Sequence, residues 1–161
     1  MNYDWTDTAI GRCYVSASDD GVTSLKLLDT DQVSDRFPNK HTDKALDELI
    51  QYFDGELKEF SVTLHMVEGT PFMKQVWKYL LTIPYGQTVS YLDIARYLDN
   101  EKAVRAVGMA NGKNPIPIIV PCHRVIGSNG SLVGYASGLD IKKHLLRIEN
   151  PKNFGIQSSL F

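Results

Sequence analysis

The stretch IIVPCHRVI, residues 118–126, is an apolar run that ends in a proline and then presents a cysteine, a histidine and an arginine. A thiol becomes a useful nucleophile when a neighbour lowers its pKa or accepts its proton. Histidine, arginine and a helix start after proline can each contribute to this. The same pattern also fits a small buried thiol followed by a solvated His-Arg pair. Cys122 is therefore a candidate nucleophile that the surrounding sequence has to support.

The composition predicts an ordinary intracellular protein. The chain has 161 residues, of which 43% are hydrophobic, enough for one core or for two small ones. Its two cysteines, Cys13 and Cys122, lie far apart in sequence, which argues against a disulfide framework and favours a reducing compartment. The acidic N-terminus has no signal-peptide pattern, and no apolar run approaches the roughly 20 residues that span a bilayer. We expect a soluble, cytoplasmic protein with no membrane partner.

The two halves of the chain differ in charge. Residues 1–69 hold 6 Lys and Arg against 14 Asp and Glu, a net charge of −8, whereas residues 70–161 hold 11 against 5, a net charge of +6. A basic half beside an acidic one suggests that the basic half faces a polyanion such as a nucleic acid. Chance variation of solvated surfaces is the alternative explanation.

The N-terminal half, residues 1–69, has the pattern of a small α+β domain. Strand-like residues at 10–18 and 22–28 flank an Asp-Asp-Gly turn and predict a β-hairpin. Residues 43–53 carry apolar side chains at helical spacing, and residues 60–64 alternate in a way that predicts a return to the sheet. This half shows no evident active-site constellation.

The C-terminal half, residues 70–161, is predicted to be mainly helical. Thr70-Pro71 predicts a helix start, because threonine is a good N-cap and proline a good first helical residue. Ser90 opens a capping-box-like start of a helix over 91–98, and residues 101–111 form a second short helix. Two short helices joined by a tight polar turn in a basic half predict a helix-turn-helix, with an ordinary helical hairpin as the alternative.

The second of these short helices combines small residues with one long cation, Arg105. Small residues permit the backbone to approach a surface closely, although they also serve core packing. The small residues are Ala103, Ala106, Gly108, Ala110 and Gly112.

Together, the motifs of this half resemble the O6-alkylguanine-DNA alkyltransferase family. The resemblance covers residues 70–150 closely and the N-terminal half more loosely. Each fragment alone is weak evidence, but their common order and spacing are specific. The matching fragments are Ser90-Tyr91, KAVRAVG at 102–108, GKNP at 112–115, PCHRV at 121–125, GYASGL at 134–139 and LLRIE at 145–149.

The resemblance implies repair of duplex DNA that contains O6-alkylguanine, by transfer of the alkyl group to Cys122. In the family the histidine matching His123 relays the thiol proton through a water molecule, and a glutamate matching Glu149 orients that histidine. Tyr91 matches a tyrosine that donates to guanine N3. Arg105 matches an arginine that enters the base stack after the damaged base flips out through the minor groove.

The resemblance also implies a DNA-binding surface and a base pocket, both in a winged helix-turn-helix-like domain that carries the active-site cysteine. The carbonyls of Cys122 and Val125 are expected to accept from the guanine 2-amino group, the amide of Ala136 to donate to O6, and Asn114 to brace the turn. The pocket set is Asn114, Val125, Tyr135, Ala136 and Ser137. The DNA-binding set is Tyr91, Lys102, Ala103, Arg105, Ala106, Gly108, Ala110, Lys113 and Arg124.

We expect no cofactor and no metal, and we expect a monomer that acts once because a thioether is a dead end. Some relatives bind zinc in the N-terminal domain, but here only Cys13, His41 and His65 are available. Ser137 stands where many members have glycine, which bears on how bulky O6 groups are accepted.

Two other functions compete with this one. Alkyltransferase-like proteins recognise the damaged base but lack the cysteine, so Cys122 argues against a pure binding module. A Cys-His hydrolase acting on a peptide or amide would leave the small-residue helix around Arg105 unexplained.

Overall fold

The computed structural model of the chain describes residues 1–154. Its contacts divide the chain into two compact units, Met1–Glu68 and Gly69–Phe161, the last seven residues of which lie outside the described part. The first unit holds a three-stranded antiparallel sheet and the second is mainly helical, which confirms the predicted α+β class. Within residues 1–154, no helix is both long enough and apolar enough to cross a membrane.

The sheet of the first unit contains β1 (Asn2–Thr8), β2 (Gly11–Ser18) and β3 (Gly21–Leu28), in that spatial order. The predicted hairpin is β2 and β3. Strand β1 was not predicted, because its sequence is polar and lacks an apolar alternation; Asp4 is its one buried residue. Pairing with β2 across the two-residue connection Ala9-Ile10 places it in the sheet.

Helix α1 (Lys40–Phe53) covers this sheet. It begins three residues before the predicted start because Asn39 and Thr42 form a reciprocal capping box. Its inward face includes Ala45, Leu49 and Tyr52, all fully buried.

The predicted return of residues 60–64 to the sheet is reduced to a single bridge. Val22 of β3 donates to the Thr63 carbonyl at 2.9 Å and accepts from the His65 amide at 2.8 Å. Gly21 makes this close approach possible: it has φ +149°, and a Cβ there would lie 2.8 Å from the Thr63 carbonyl oxygen.

The second unit begins with helix α2 (Pro71–Leu80), whose start is the predicted one. The Thr70 hydroxyl accepts from the Met73 amide at 3.2 Å, and Pro71 occupies the first turn. The buried Trp77 donates its ring N–H to the Ala110 carbonyl at 2.7 Å, which ties α2 to the helix that carries Arg105.

The two predicted short helices are α3 (Tyr91–Tyr97) and α4 (Val104–Gly112). Ser90 caps α3 through a reciprocal capping box with Asp93. The chain then turns through Asp99, which has a left-handed φ of 57°. Residues Glu101–Ala103 form a separate 3-10 turn, so the second helix begins later than predicted.

A short parallel pairing positions the active-site segment. Strand β4 (Val89–Ser90) runs directly into α3, and strand β5 (Val125–Ile126) directly follows a 3-10 turn at Cys122–Arg124. Because Val89 pairs with Val125, the start of α3 and the cysteine turn lie side by side. The described part of the unit ends with helix α5 (Leu139–Glu149) and a short helix α6 (Pro151–Phe154).

We expect Thr70→Ala to lower the free energy of unfolding of the second unit by about 1 kcal/mol, because the substitution removes the N-cap acceptor of α2. Thr70→Ser, which keeps the hydroxyl, is the matched control and should stay within about 0.5 kcal/mol of the parent. Urea denaturation followed by tryptophan fluorescence measures both. Equal loss in the two variants would contradict a capping role.

Candidate active site

The segment before the cysteine is held in a tight and unusual turn. The Asn114 side chain donates to the Val120 carbonyl at 2.8 Å and accepts from the Ile116 amide at 3.0 Å. Within this turn Ile118 has φ +74°, a left-handed value that is rare for a β-branched residue. Ile118 is fully buried, so the surrounding core and the Asn114 bonds hold the strained backbone in place.

Cys122 lies against a cavity of about 420 Å³ in the second unit, with 4% of its surface exposed. The cavity is bounded by the start of α3, one face of α4 and the loop over residues 133–137. Residues predicted for the site that line the cavity are Tyr91, Gly108, Asn114, Cys122, Tyr135, Ala136 and Ser137. The structure adds Val104, Asn111, Gly112, Pro117, Val133 and Gly134 to this lining.

A buried hydrogen-bond network lies behind the cysteine. The imidazole Nε2 of His123 lies 2.5 Å from Oε2 of Glu149. The Arg124 guanidinium donates from Nε to Oε1 at 2.7 Å and from Nη2 to Oε2 at 3.1 Å. The amide of Gly86 donates to Oε1 at 3.2 Å, and Arg124 Nη1 reaches the Ile83 carbonyl at 2.6 Å. The carboxylate thus connects the end of α5 with the cysteine turn.

The charged groups of this network are Arg124 and Glu149. Burial alone would raise the pKa of the Glu149 carboxyl, but the hydrogen bonds and charges of His123 and Arg124 outweigh burial and hold that pKa far below its usual range. Burial lowers the pKa of His123, more strongly than Glu149 raises it. At neutral pH the pair is therefore an ionised glutamate with a neutral histidine, and Arg124 supplies the balancing charge.

This state assigns the tautomer of His123. A neutral imidazole that faces a carboxylate carries its proton on Nε2, since Nε2 must donate to Glu149. The other nitrogen, Nδ1, is then an unprotonated acceptor. It is buried and has no hydrogen-bond partner among residues 1–154. His123 therefore presents a base on the side away from the carboxylate.

The thiol that needs such a base is protonated at rest. Burial raises the pKa of Cys122, and this outweighs the neighbouring Asn114 and Tyr135 side chains and the charge of Lys142, which all favour the thiolate. Asn111 adds a bond from its side-chain amide to the Cys122 carbonyl at 3.2 Å. A nucleophilic thiolate forms here only when its proton is removed.

Tyr91 stands across the cavity at the start of α3. Its hydroxyl donates to the Val133 carbonyl at 2.9 Å and approaches the Gly134 carbonyl at 3.3 Å. Burial raises the pKa of this phenol, so it keeps its proton. Tyr91 is consequently a hydrogen-bond donor that is already engaged with the loop opposite.

Helix α4 and the residues that flank it present a mixed outer face. Arg105, Ala106, Lys102 and Lys113 are exposed, while Ala103 and Gly108 are partly buried. These positions remain predictions for a DNA-binding surface.

Two predicted DNA contacts do not fit the structure. Ala110 is 1% exposed and its carbonyl accepts from Trp77, so it packs the core between α2 and α4. Arg124 is 7% exposed and its guanidinium is bound to Glu149 and Ile83, so no DNA phosphate can reach it. The sequence shows Arg124 next to the Cys-His pair, but it does not show whether the Arg124 side chain is buried or exposed. We withdraw the DNA-binding interpretation of both residues.

Sequence reasoning missed Asn111 and Lys142, although a signal was present. Asn111 lies on the buried face of α4 with Val107 and Ala110, and Lys142 lies on the buried face of α5 with Leu145 and Leu146. A polar residue at the i, i+3, i+4 positions of an apolar stripe has to find partners inside the protein. Lys142 finds three carbonyls, and burial lowers its pKa to about 8.

The candidate metal ligands of the first unit do not assemble. Cys13 is fully buried, and burial raises its pKa to about 11. His41 contacts the Asp19 carbonyl, and His65 contacts the Ser18 hydroxyl. In the described part of the chain no three His, Cys, Asp or Glu side chains cluster as a metal site would require.

Comparison with known proteins decides the family. The profile described as 6-O-methylguanine DNA methyltransferase, DNA binding domain, matches residues 71–151, and the profile of the ribonuclease-like domain of the same proteins matches residues 1–66. The chain belongs to the 6-O-methylguanine DNA methyltransferase family. The resemblance drawn from the sequence motifs is thereby confirmed.

Proteins that carry the name methylated-DNA--protein-cysteine methyltransferase are similar to this chain and occur in distant organisms. Methylated-DNA--protein-cysteine methyltransferase of Methanosarcina barkeri is 46% identical over 154 residues, covering 92% of this chain and 97% of the relative. The constitutive enzyme of Bacillus subtilis is 45% identical, covering 92% and 96%. The crystal structure of Mycobacterium tuberculosis OGT in complex with DNA superposes with a TM-score of 0.83 at 45% identity, covering 92% of each chain.

We expect Glu149→Gln to destabilise the second unit by about 3–5 kcal/mol, because it leaves the buried Arg124 without a counter-charge. The control is Glu101→Gln, which breaks an ion pair with Arg96 whose side chains are 67% and 57% exposed. That loss should stay below about 1 kcal/mol. Denaturant titrations of both variants measure the difference, and similar losses would show that the buried network is not a stabilising unit.

Proposed function

We propose that this protein repairs DNA directly by moving a methyl group from O6 of guanine in duplex DNA to the sulfur of Cys122. The observation that carries the proposal is the arrangement of Cys122. It faces a cavity while the next residue, His123, presents an unprotonated nitrogen fixed by Glu149. Membership of the methyltransferase family supports the same reaction.

A damaged base has to leave the helix to reach Cys122. The thiol lies at an inner cavity of about 420 Å³, and a base stacked in a duplex cannot enter such a space. The exposed face of α4 suits the entry step, because Ala106 allows close approach and Arg105 can fill the space that the base leaves. A relative that has been solved in complex with DNA supports DNA as the partner.

Proton removal precedes methyl transfer. The thiol of Cys122 loses its proton to Nδ1 of His123, through a bridging water as the family chemistry implies. The imidazolium that forms is stabilised by the ionised Glu149. The resulting thiolate is a soft nucleophile suited to attack on a methyl carbon.

The transfer itself breaks one bond and forms one. A sulfur lone pair forms the S–C bond while the C–O6 electron pair moves onto the guanine. Tyr91 opposes the developing negative charge by donating its hydroxyl to N3, and the amide of Ala136 donates to O6. The thiol gives up one proton and the guanine anion takes up one proton, so the base is left as neutral guanine.

Guanine is recognised by backbone groups near the cysteine. The carbonyls of Cys122 and Val125 accept from the 2-amino group in this proposal. The Val125 carbonyl already accepts from Lys142, and the Cys122 carbonyl accepts from the Asn111 side chain and from the Val125 amide. A carbonyl oxygen has two lone pairs, so Val125 keeps capacity for the base, whereas at Cys122 the base has to share or replace one of the internal bonds.

The thioether has no route back to a thiol in this site, so each molecule acts once. The proposed site is contained in one chain, and we propose that the protein acts as a monomer in the cytoplasm.

Incubation with a duplex containing one O6-methylguanine should add one CH2 unit of mass to the peptide that carries Cys122, with a stoichiometry of one. Cys122→Ala should transfer nothing and still bind the duplex. Peptide mass spectrometry and a gel-shift assay provide the two readouts. Tight binding with unchanged mass would instead identify a recognition module, and repeated turnover would exclude a consumed cysteine.

We expect Arg105→Ala to slow repair of duplex DNA by at least about tenfold, because flipping costs a few kcal/mol and 1.4 kcal/mol already corresponds to tenfold. The same variant should react with free O6-methylguanine, which needs no flipping, within about twofold of the parent.

Lys26→Ala is the matched control for Arg105→Ala. It removes one positive charge from an exposed position in the first unit, which contributes no residue to the proposed surface. Repair of the duplex by this control should stay within about twofold of the parent. An equal slowing in both variants would indicate a general charge effect, and an equal slowing on free base and duplex would contradict the flipping role.

A further inference from the structure

The charge of Lys142 favours the Cys122 thiolate, but the proposed chemistry does not explain the hydrogen bonds of this buried amine. Its side chain is fully buried on the inner face of α5, beside Leu145. Burying an ammonium is costly unless all of its protons have acceptors. A methionine or leucine would pack such a position more cheaply, so the lysine requires an explanation in terms of what it binds.

Its three donors meet three backbone carbonyls. Nζ lies 2.5 Å from the oxygen of Val125, 3.0 Å from that of Val133 and 3.1 Å from that of Gly134. Val125 directly follows the cysteine turn, and Val133 and Gly134 form part of the cavity wall. One ammonium therefore joins the strand beside Cys122 to the loop across the cavity.

The same loop carbonyls also accept from Tyr91. The Tyr91 hydroxyl lies 2.9 Å from the Val133 oxygen and 3.3 Å from the Gly134 oxygen. Nζ of Lys142 lies 5.8 Å from the centre of the Tyr91 ring, so the two donors approach the loop as neighbours. The loop thus has two donors for one pair of acceptors.

A phenol has only one proton to donate. For Tyr91 to donate to a purine, as the proposed function requires, its hydroxyl must leave the Val133 carbonyl. Val133 and Gly134 are exposed, so without a second donor their carbonyls would turn to water when Tyr91 leaves, and the loop would lose its attachment to the cavity wall. With Lys142 in place, both loop carbonyls keep a donor after Tyr91 turns to the base.

We propose that Lys142 is a positioning residue that holds the loop over residues 133–134 and thereby releases the Tyr91 hydroxyl for the flipped base. This inference rests on the proposed function of Tyr91. It assigns the residue a role in the transfer step and none in DNA binding, since Lys142 lies inside the second unit.

The first test concerns the loop in the absence of DNA. The measurement is the rate of chymotryptic cleavage after Tyr135, read by mass spectrometry. Tyr91→Phe should be cleaved within about twofold of the parent rate, because Lys142 still holds the loop. The double variant Tyr91→Phe with Lys142→Met should be cleaved at least about tenfold faster, because the loop then has no donor.

The second test concerns transfer. In Lys142→Met, the loop should stay resistant to chymotrypsin, and the affinity for duplex DNA should stay within about twofold of the parent. At saturating DNA, this variant should nevertheless transfer the methyl group at least about tenfold more slowly. Tyr91 remains tied to the loop in this variant. Lys142→Arg, which keeps donors, should be faster than Lys142→Met. Lys143→Met, the next residue on α5, is the matched control and should transfer at the parent rate.

Several outcomes would overturn the proposal. Rapid loop cleavage in Tyr91→Phe alone would show that Tyr91 holds the loop unaided. Rapid cleavage in Lys142→Met alone would reduce Lys142 to a structural support, and parent-rate transfer in that variant would remove its role altogether. If Lys142→Met does not fold, cleavage of Tyr91→Phe and transfer by Lys142→Arg still decide.

The proteolysis test uses no substrate, so it stands apart from the proposed function. Absence of methyl on Cys122 in the parent protein would contradict the proposed function, whereas an altered loop in the DNA-free variants concerns Lys142 alone.

Discussion

The buried carboxylate of Glu149 is the interaction on which the rest of the second unit depends. It accepts from His123, twice from Arg124 and once from the Gly86 amide. These donors come from two separate segments of the chain, so a single side chain fixes the end of α5 against both the cysteine turn and the backbone at Gly86. Removing the carboxylate would leave the Arg124 guanidinium buried without a counter-charge. The loss of one partner therefore costs more free energy than the hydrogen bonds that this partner makes.

The same network determines the chemistry that Cys122 can perform. A positively charged histidine would lower the pKa of the neighbouring thiol but could not accept its proton. Here Arg124 balances Glu149, His123 stays neutral, and burial raises the pKa of Cys122. The site therefore holds a protonated thiol next to a histidine with an unprotonated nitrogen, and a protonated thiol is the less reactive form of cysteine.

Local signals in the sequence predicted those parts of the fold that local chemistry controls. Thr70 and Ser90 are caps whose partners lie three residues away, and the turn of the predicted hairpin between β2 and β3 ends at Gly21. The burial of Arg124 escaped prediction because its partner Glu149 is distant in sequence, and strand β1 escaped because its polar sequence lacks an apolar alternation. Motif resemblance identified the cysteine, the histidine and the glutamate, but it carried no information on which neighbouring side chains turn inward.

Helix α5 shows that a physical signal was available even for the residues that were missed. Lys142, Leu145, Leu146 and Glu149 follow one another at helical spacing and form one buried face. Burying two charged side chains on an apolar stripe costs free energy unless each of them finds a complete set of hydrogen-bond partners. Glu149 finds them at the cysteine turn, and Lys142 finds them at the loop across the cavity. A single helix therefore braces both sides of the site, and its pattern of charges points to the position of the cavity.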